Sequence, residues 1–460
     1  MAKKKENTLE EKLQEALVPE NQWPYILPEN WCWTRLGKIT NIVGGGTPSS
    51  SKKEYYDNGT IPWLSPADLS GYSDIYISRG QKNITELGLS KSSARLMPKD
   101  TVLLSSRAPI GYVAIASNSI STNQGFKNFL PSDAFYSRFL YWYLKSSKSL
   151  LESYASGTTF LELSGSKASM VEFPLPPLPE QKRIVHRIES LFAKLDEAKE
   201  KIQQVLDGAE MRKAAILHKA FTGELTKNWR KENGISEDSW VEYTLQSVCT
   251  MKITDGTHKT PTYSDKENGV VFLSAKDITS GEINWENTKY ITSELHKELY
   301  SRLAPQINDI LLAKNGTTGV AALVKEDKVF DIYVTLALLR PNVEIVIPEY
   351  LLNIINSPLC KVQFNENLTG IGVPNLHLRD IKDVKIKVPS ISEQEIISDK
   401  VEMLLANEGM VTKNCLKQIE VIDTMKKSIL AKAFRGELGK NNPTEDSALN
   451  LLKEVLQDKS

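Results

Sequence analysis

The sequence predicts an α+β protein with two similar globular domains and two long helices that form an antiparallel intramolecular coiled coil, arranged as a pseudo-twofold tandem repeat. Three observations lead to this prediction. The chain repeats itself at a fixed offset, each copy contains a proline-free stretch with heptad spacing, and the rest of each copy mixes short apolar runs with turn residues.

The repeat is clearest over residues 176–225, where an offset of 213 holds without a gap. Sixteen of these 50 positions are identical to their partners, whereas ordinary amino-acid usage would give about three. Upstream, Trp31 pairs with Trp240 in a weaker match that keeps the same order. The segments that follow from this pattern are a lead (1–30), a first domain (31–175), a first helix (176–225), a linker (226–239), a second domain (240–388), a second helix (389–438) and a tail (439–460).

Each long helix is predicted from its apolar spacing. Residues 181–221 place apolar side chains at alternating steps of four and three, and the second copy repeats the pattern with interruptions at Glu408 and Gln418. Prolines precede each helix. Gly223 and Gly436 follow the first and the second helix, respectively, and glycine is the residue that most often terminates a helix at this position. A helix of about 40 residues is about 60 Å long.

That length exceeds the diameter of a domain of about 150 residues, so we expect the two helices to pair with each other. The alternative is that each helix packs only on its own domain. The residues expected on the interacting faces of the helices, towards each other or a partner, are Ile184, Ile188, Leu191, Leu195, Ile202, Ile216 and Phe221 in the first helix, and Ile397, Val401, Leu404, Ile422, Ile429 and Phe434 in the second.

The two domains are predicted to be α+β because strand-like runs alternate with Gly, Ser, Thr and Asn turns. In the first domain such runs begin at Thr101 and Gly111, and in the second at Asp309 and Gly319. Short helices are expected at 136–154 and 348–367, and the linker is expected to be a polar spacer.

Composition excludes several classes of protein. The chain has 460 residues, and 57 Lys and Arg balance 57 Asp and Glu, which taken alone argues against a nucleic-acid-binding protein. The charge is uneven, however: residues 31–128 hold 11 basic against 6 acidic residues, whereas residues 240–340 hold 11 against 13. With no long apolar stretch and four dispersed cysteines, we expect a cytoplasmic protein without disulfides, and the scattered histidines offer no metal site.

Catalytic motifs are missing from the sequence. There is no Gly-x-x-x-x-Gly-Lys-Ser/Thr loop for phosphates, no Gly-x-Gly-x-x-Gly, no Gly-x-Ser-x-Gly and no Asn/Asp-Pro-Pro-Tyr/Phe motif of adenine methyltransferases. We therefore expect a chain that is not itself an enzyme.

The motifs, taken in order, resemble the specificity subunit of a Type I restriction-modification system. They are Leu-Val-Pro-Glu-Asn-Gln-Trp-Pro-Tyr (17–25), Gly-Gly-Thr-Pro (45–48), Pro-Leu-Pro-Pro-Leu-Pro-Glu-Gln (174–181), Asp-Gly-Thr-His-Lys-Thr-Pro (255–261) and the repeated Ala-Phe-x-Gly-Glu-Leu (220–225 and 433–438). The resemblance covers nearly the whole chain. The second helix departs from it, because Val-Pro-Ser-Ile-Ser (388–392) replaces the proline-rich entry of the first.

The resemblance implies two target-recognition domains, each reading one half of a split sequence in double-stranded DNA, held apart by the paired helices. It also implies partners: two adenine-N6 methyltransferase subunits and, for restriction, translocase-nuclease subunits, with no membrane involved. S-adenosylmethionine, ATP and Mg²⁺ would be used by these partners and not by this chain. The rival interpretation is a coiled-coil scaffold that binds only proteins.

The residues predicted to contact DNA are polar and basic side chains on turns. By bidentate geometry, Arg107 and Lys259 could read guanine, and Asn315 or Gln124 could read adenine. The alternative for each residue is a tight turn with solvated side chains. The full set is Thr47, Ser49, Lys52, Lys53, Ser105, Ser106, Arg107 and Gln124 in the first domain, and Thr257, His258, Lys259, Thr260, Lys314, Asn315, Thr317 and Arg340 in the second.

Overall fold

The computed structural model describes residues 8–107, 109–157, 161–366, 368, 374–438 and 441–458. The chain forms two compact units. Unit 1 comprises Met1–Lys201 and Gln418–Ser460, and unit 2 comprises Ile202–Lys417. The division falls inside the two long helices, so each unit contains a globular domain and parts of both helices.

Within the described residues of unit 1, the strands form three sheets. Their orders are β2-β10-β7-β8-β4, β5-β3-β9-β6 and the pair β1-β11. The strands are β1 (Cys32–Arg35), β2 (Ile42–Gly44), β3 (Ile61–Leu64), β4 (Tyr76–Ile77), β5 (Lys82–Ile84), β6 (Leu96–Met97), β7 (Val102–Ser106), β8 (Ile110–Ala116), β9 (Ile120–Thr122), β10 (Phe126–Phe129) and β11 (Glu172–Leu175).

The strands of unit 2 form sheets of nearly the same order in the part of the chain that the structure describes. These are β13-β20-β17-β18, β14-β16-β15-β19 and the pair β12-β21. The strands are β12 (Val241–Thr244), β13 (Thr254–Asp255), β14 (Tyr263–Ser264), β15 (Val270–Leu273), β16 (Lys289–Ile291), β17 (Ile310–Ala313), β18 (Ala321–Leu323), β19 (Phe330–Ile332), β20 (Leu336–Leu339) and β21 (Lys385–Val388).

The two units are built on one strand plan, which confirms the predicted duplication. The order β2-β10-β7-β8 corresponds to β13-β20-β17-β18, and the parallel pair β3–β9 corresponds to β15–β19. One local hydrogen bond also occurs at equivalent places in both units. The backbone N–H of Ser65 donates to Asp68 at 2.7 Å, and that of Ser274 donates to Asp277 at 2.7 Å.

Helices occupy both regions predicted to form long helices, and each of the two regions predicted to be helical within the domains contains two short helices. In unit 1, Phe139 of α4 belongs to a core that also holds Phe173 of β11, and both are fully buried. The helices are α1 (Leu9–Ala16), α2 (Leu36–Ile39), α3 (Glu86–Ser90), α4 (Ser137–Ser146), α5 (Lys148–Tyr154), α6 (Gly165–Met170), α7 (Leu178–Asp207), α8 (Ala209–Phe221), α9 (Lys227–Glu232), α10 (Ser293–Arg302), α11 (Pro348–Ile355), α12 (Pro358–Glu366), α13 (Leu378–Asp383), α14 (Ile391–Phe434) and α15 (Ala448–Asp458). None of the described helices is long and apolar enough to cross a membrane.

The first long helix differs from the prediction of one continuous helix, because Gly208 divides it into α7 and α8. Arg212 folds back across this glycine, and its Nη2 donates to the carbonyl oxygen of Val205 at 3.0 Å. A side chain at 208 would meet the Arg212 guanidinium at 2.8 Å. The break leaves Val205 exposed, so the heptad seam is interrupted there.

The antiparallel pairing of the helices is confirmed within each unit. In unit 1, Lys199 of α7 contacts Asp423 of α14 at 3.0 Å, and Asp196, one turn earlier, contacts Lys426, one turn later. In unit 2, Arg212 of α8 forms two hydrogen bonds of 3.0 Å with Glu408 of α14. All thirteen residues predicted on the interacting faces are buried or half-buried.

The repeated Glu-Gln dipeptide at the start of each long helix has a structural role. The Gln181 side chain accepts from the backbone N–H of Tyr136 and donates to the carbonyls of Ala134 and Pro176. Gln394 makes the same three bonds in unit 2, with Ile347, Ile345 and Pro389. Each glutamine therefore fastens its long helix to its own domain by satisfying backbone groups that are shielded from water.

The glutamates of the same dipeptide are buried but differ in their partners. In both units a tryptophan indole N–H donates to the carboxylate, from Trp31 to Glu180 and from Trp240 to Glu393. In unit 2, Arg230 of α9 also pairs with Glu393, so the segment predicted as a polar linker contains a buried cation. No described cationic side chain lies within ion-pair distance of Glu180, and burial raises the pKa of that carboxyl group.

Candidate nucleic-acid interface

Most residues predicted to contact DNA in the first domain gather at one end of the five-stranded sheet. Because neighbouring strands run antiparallel, β2 and β7 end there while β8 and β10 begin there. We call this region, residues 44–49, 105–107 and 122–125, loop end 1. Two backbone hydrogen bonds connect its turns. The N–H of Gly46 donates to the carbonyl of Thr122 at 2.9 Å, and the N–H of Ser106 donates to that of Gly125 at 2.7 Å.

The exposed polar surface of loop end 1 comes from Thr47 and Gln124, whose side chains hydrogen-bond to each other across two turns. Ser49, Lys52 and Lys53 continue along the same exposed segment. All five side chains are exposed, although the Ser49 hydroxyl lies 2.9 Å from that of Ser51 and Lys52 lies 4.0 Å from a carboxylate oxygen of Glu54. Their contact with DNA stays a prediction.

Ser105 and Ser106 are fully buried, unlike the other predicted residues of loop end 1. The Ser105 hydroxyl donates to the carbonyl of Pro109 at 2.8 Å and accepts from the N–H of Tyr112 at 2.8 Å, which stabilises the irregular pairing between β7 and β8. The Ser106 hydroxyl accepts from Lys127 at 3.2 Å. The hydroxyl groups of both serines are therefore directed into the domain, and their contact with DNA stays a prediction.

Arg107 belongs to a charged cluster that local sequence patterns did not reveal. Its Nη1 lies 3.8 Å from Oε2 of Glu162, and the buried Lys127 Nζ lies 3.8 Å from the other carboxylate oxygen. Burial lowers the pKa of Lys127. About a third of the Arg107 side chain is exposed, so one carboxylate holds two cations while the guanidinium still faces solvent.

The equivalent loop end 2 is formed where β13 and β17 end and β18 and β20 begin, and comprises residues 255–260, 314–317 and 332–335. The N–H of Thr257 donates to the carbonyl of Ile332 at 3.1 Å, and the N–H of Lys314 donates to that of Thr335 at 2.9 Å. These bonds correspond to those of Gly46 and Ser106 in loop end 1. Thr257 is buried, whereas Thr260 and Thr317 are exposed and Asn315 is half-buried.

The basic patch expected in the second domain is paired with carboxylates. Lys314 is buried and contacts Asp255 at 2.8 Å, and the exposed His258 lies 3.2 Å from the same carboxylate. Lys259, largely exposed, contacts Glu298 at 2.7 Å. Exposed pairs of this kind are weak, so Lys259 can exchange its partner for a phosphate, whereas the buried Lys314 cannot do so without cost.

Arg340 lies outside loop end 2, because it follows the last residue of β20 and so stands at the opposite end of the sheet. Its Nε and Nη2 form hydrogen bonds of 2.8 and 2.7 Å with the buried Asp309. This bidentate pair raises the pKa of Arg340 and holds its guanidinium at Asp309, away from loop end 2, so its contact with DNA stays a prediction.

Loop end 1 depends on the close approach of two backbones at Gly45. A Cβ atom at this position would lie 1.9 Å from the carbonyl oxygen of Asn123 and 2.5 Å from that of Thr122. The neighbouring Gly44 has no atom within 4 Å of the same hypothetical Cβ. Only glycine at 45 allows the turn after β2 to lie against the turn before β10.

We expect Gly45→Ala to lower the free energy of unfolding by about 1–3 kcal/mol, because the added methyl group must push two backbone segments apart. Gly44→Ala is the matched control and should change it by less than about 1 kcal/mol in either direction. Urea unfolding of the full chain measures both. An equal effect of the two substitutions would contradict the close approach.

Potential metal ligands and thiol groups are two features that bear on catalysis among the described residues. No group of three or more His, Cys, Asp or Glu side chains among them could hold a metal ion. Burial raises the pKa of the Cys32 and Cys360 thiols to about 12, so neither forms a thiolate near neutral pH.

Sequence comparison decides the family. The model of the family described as "Type I restriction modification DNA specificity domain" matches residues 28–207 and 237–421. The chain belongs to this Type I DNA specificity family. Each match covers most of one copy of the repeat. The assignment favours the interpretation as a specificity subunit over that of a scaffold that binds only proteins.

Curated members of the family resemble the chain over nearly its whole length. The chain is 31% identical over 438 residues to the Type I restriction enzyme MjaIX specificity subunit of Methanocaldococcus jannaschii, covering 90% of this chain and 94% of that one. It is 25% identical over 451 residues to the EcoBI specificity subunit of Escherichia coli, covering 94% and 93%.

Solved structures support the fold. The HsdS subunit from Thermoanaerobacter tengcongensis matches with a TM-score of 0.60 at 18% identity, over 91% of this chain and all of that one. A chain from a structure of complex assembly and conformational transition in the type I R-M system matches with a TM-score of 0.66 at 20% identity, over 90% and 100%.

The sequence did not reveal three side chains that contact loop-end residues, namely Lys127, Glu162 and Asn375. The sequence repeat could have indicated two of them, Glu162 and Asn375. Extending the offset of 213 upstream of residue 176 places Leu163 on Leu376 and Glu162 on Asn375. Lys127 carried no such signal, since a lysine in an alternating strand is usually solvated.

Proposed function

We propose that this chain is a non-catalytic subunit that recognises a split target in double-stranded DNA, with loop end 1 contacting one half-site and loop end 2 the other. The observation that carries the proposal is that the two loop ends are formed by equivalent strands of the two units but carry different side chains. Thr47 and Gln124 project from loop end 1, whereas Thr260 and Thr317 project from loop end 2. Two similar frames with different surfaces suit two different half-sites.

The partners follow from the family. DNA and the methyltransferase and restriction subunits of a Type I system are the partners we propose, with two methyltransferase subunits and translocase-nuclease subunits per complex. S-adenosylmethionine, ATP and Mg²⁺ would be bound by those subunits. Restriction enzyme specificity subunits among the relatives support this assignment.

We expect the first domain to bind its half-site more through charge and the second domain more through neutral hydrogen bonds. Next to loop end 1 in sequence are the exposed Lys52 and Lys53, which suit phosphates, although Lys52 also lies 4.0 Å from a carboxylate oxygen of Glu54. Loop end 2 offers neutral hydroxyl and amide groups, together with a lysine and a histidine that already face carboxylates. The second domain would therefore depend more on hydrogen bonds, and on partners that contact the backbone, than on its own charge.

The test is a map of methylated bases in cells that carry the chain with its partner subunits and in cells that lack only this chain. We expect one split motif with adenine methylation in the first cells and none in the second. A continuous motif, or methylation that persists without the chain, would disprove the proposal. As a control, exchanging residues 31–172 for those of another family member should change one half-site and leave the other unaltered.

A further inference from the structure

Each loop end contains a short contact between two segments that lie far apart in sequence. Leu163 donates its N–H to the carbonyl of Ser106 at 2.9 Å in unit 1, and Leu376 donates to that of Lys314 at 2.8 Å in unit 2. Next to these bonds, residue 107 faces 162 in an antiparallel bridge, and residue 315 faces 375. The two bridges occupy equivalent places in the repeat.

The side chains at these equivalent places differ in chemistry. In unit 1 the bridge carries the ion pair between Arg107 and Glu162. In unit 2 it carries two amides, with Nδ2 of Asn315 donating to Oδ1 of Asn375 at 2.9 Å. The amide hydrogen bond fixes the orientation of Asn315, whereas the 3.8 Å ion pair keeps the Arg107 guanidinium near Glu162 by charge attraction.

The hydrogen-bonding groups of Arg107 and Asn315 that do not contact Glu162 or Asn375 are complementary to the edges of bases in the major groove. Arg107 uses one nitrogen towards Glu162, which leaves further N–H donors for the two acceptors of guanine, O6 and N7. Asn315 uses one N–H towards Asn375, which leaves a second N–H and a carbonyl oxygen for N7 and the amino group of adenine.

We propose that Arg107 and Asn315 are the equivalent base-contacting residues of the two loop ends, and that Glu162 and Asn375 are the positioning residues that orient them. This inference rests on the proposed function and deepens it, because it assigns a guanine contact to one half-site and an adenine contact to the other. A held side chain loses less conformational freedom on binding, so its discrimination between bases is sharper.

The opposing interpretation is that each bridge only joins two chain segments. That role predicts loss of stability with an unchanged target sequence, whereas positioning predicts a changed target sequence, whether or not stability also changes. Conservative variants separate the two roles. Asn375→Asp keeps an oxygen acceptor for Asn315, and Asn375→Leu removes it while keeping a similar volume.

The experiment uses the full chain assembled with its methyltransferase partners and a library of DNA in which both half-sites are randomised. With Asn375→Leu we expect discrimination at one adenine position to fall about tenfold, and with Asn375→Asp we expect it to be retained. With Glu162→Gln we expect a similar fall at one guanine position of the other half-site. Arg107→Ala should abolish the guanine preference, a loss of about 10- to 100-fold.

Controls make every outcome informative. Lys385→Ala alters an exposed ion pair outside the loop ends and should leave both half-sites unchanged. Thermal unfolding of each variant is measured in parallel, and the exchange of both bridge residues, Arg107→Asn with Glu162→Asn, supplies a second variant that keeps a paired bridge. If the unaltered complex selects a split motif but these variants select the same motif, this inference is overturned and the proposed function stands. If the unaltered complex selects no split motif, the proposed function fails.

Discussion

Replacing Arg230 by alanine should lower the free energy of unfolding of unit 2 by about 3–5 kcal/mol, because it leaves the buried Glu393 carboxylate without its cation. The two side chains are only 7% and 1% exposed. Arg230 also donates to the carbonyl of Gly223 at 2.7 Å, so the substitution removes one of the contacts that hold the segment after α8 against the start of α14.

The measurement is native-state hydrogen exchange of the full chain in urea, which reports the two units separately. Lys385→Ala is the matched control in the same unit, since its pair with Glu242 is more than half exposed, and it should change stability by less than about 1 kcal/mol. Replacing both members of the buried pair, with Arg230→Met and Glu393→Met, should recover much of the loss. A loss below about 1 kcal/mol for Arg230→Ala would contradict a buried, coupled pair.

The buried Arg230 marks the limit of what the sequence could predict. Periodic patterns within one segment predicted the strands after Thr101 and Asp309 and the long helix that ends at Phe434, but they did not predict the break at Gly208 in the first long helix. The short segment around Arg230 has no apolar period, and a basic residue in a polar run is usually solvated. Its burial depends on Glu393, which lies more than 150 residues away, so no local pattern could record it.

For the candidate site, the sequence predicted which residues lie on turns but not which of their side chains are exposed. The turn motifs placed Thr47, Gln124, Thr260 and Thr317 on exposed loops, because turn residues report local backbone geometry. They could not distinguish these from Ser105, whose hydroxyl serves a strand irregularity. Exposure depends on which strands become neighbours, and that is set by pairing between β7, β8 and β10 after the whole domain has folded.

A second large effect is expected for Phe434→Ala, which should lower the free energy of unfolding of unit 1 by about 3–5 kcal/mol. Phe434 is the last residue of α14 and is 3% exposed. Its ring lies 5.3 Å from that of Phe139 and 5.2 Å from that of Tyr143, both edge-on, so truncation leaves a cavity between α14 and α4.

The control is Met425→Ala, which removes an apolar side chain of similar length from the same helix at a position that is 49% exposed. It should cost less than about 1 kcal/mol, since surface substitutions leave no cavity. Phe434→Leu should fall between the two because it retains much of the buried apolar area. If hydrogen exchange shows equal losses for Phe434→Ala and Met425→Ala, the end of α14 is not anchored in the core of unit 1. The repeated Ala-Phe-x-Gly-Glu-Leu motif would then need another explanation than packing of its phenylalanine.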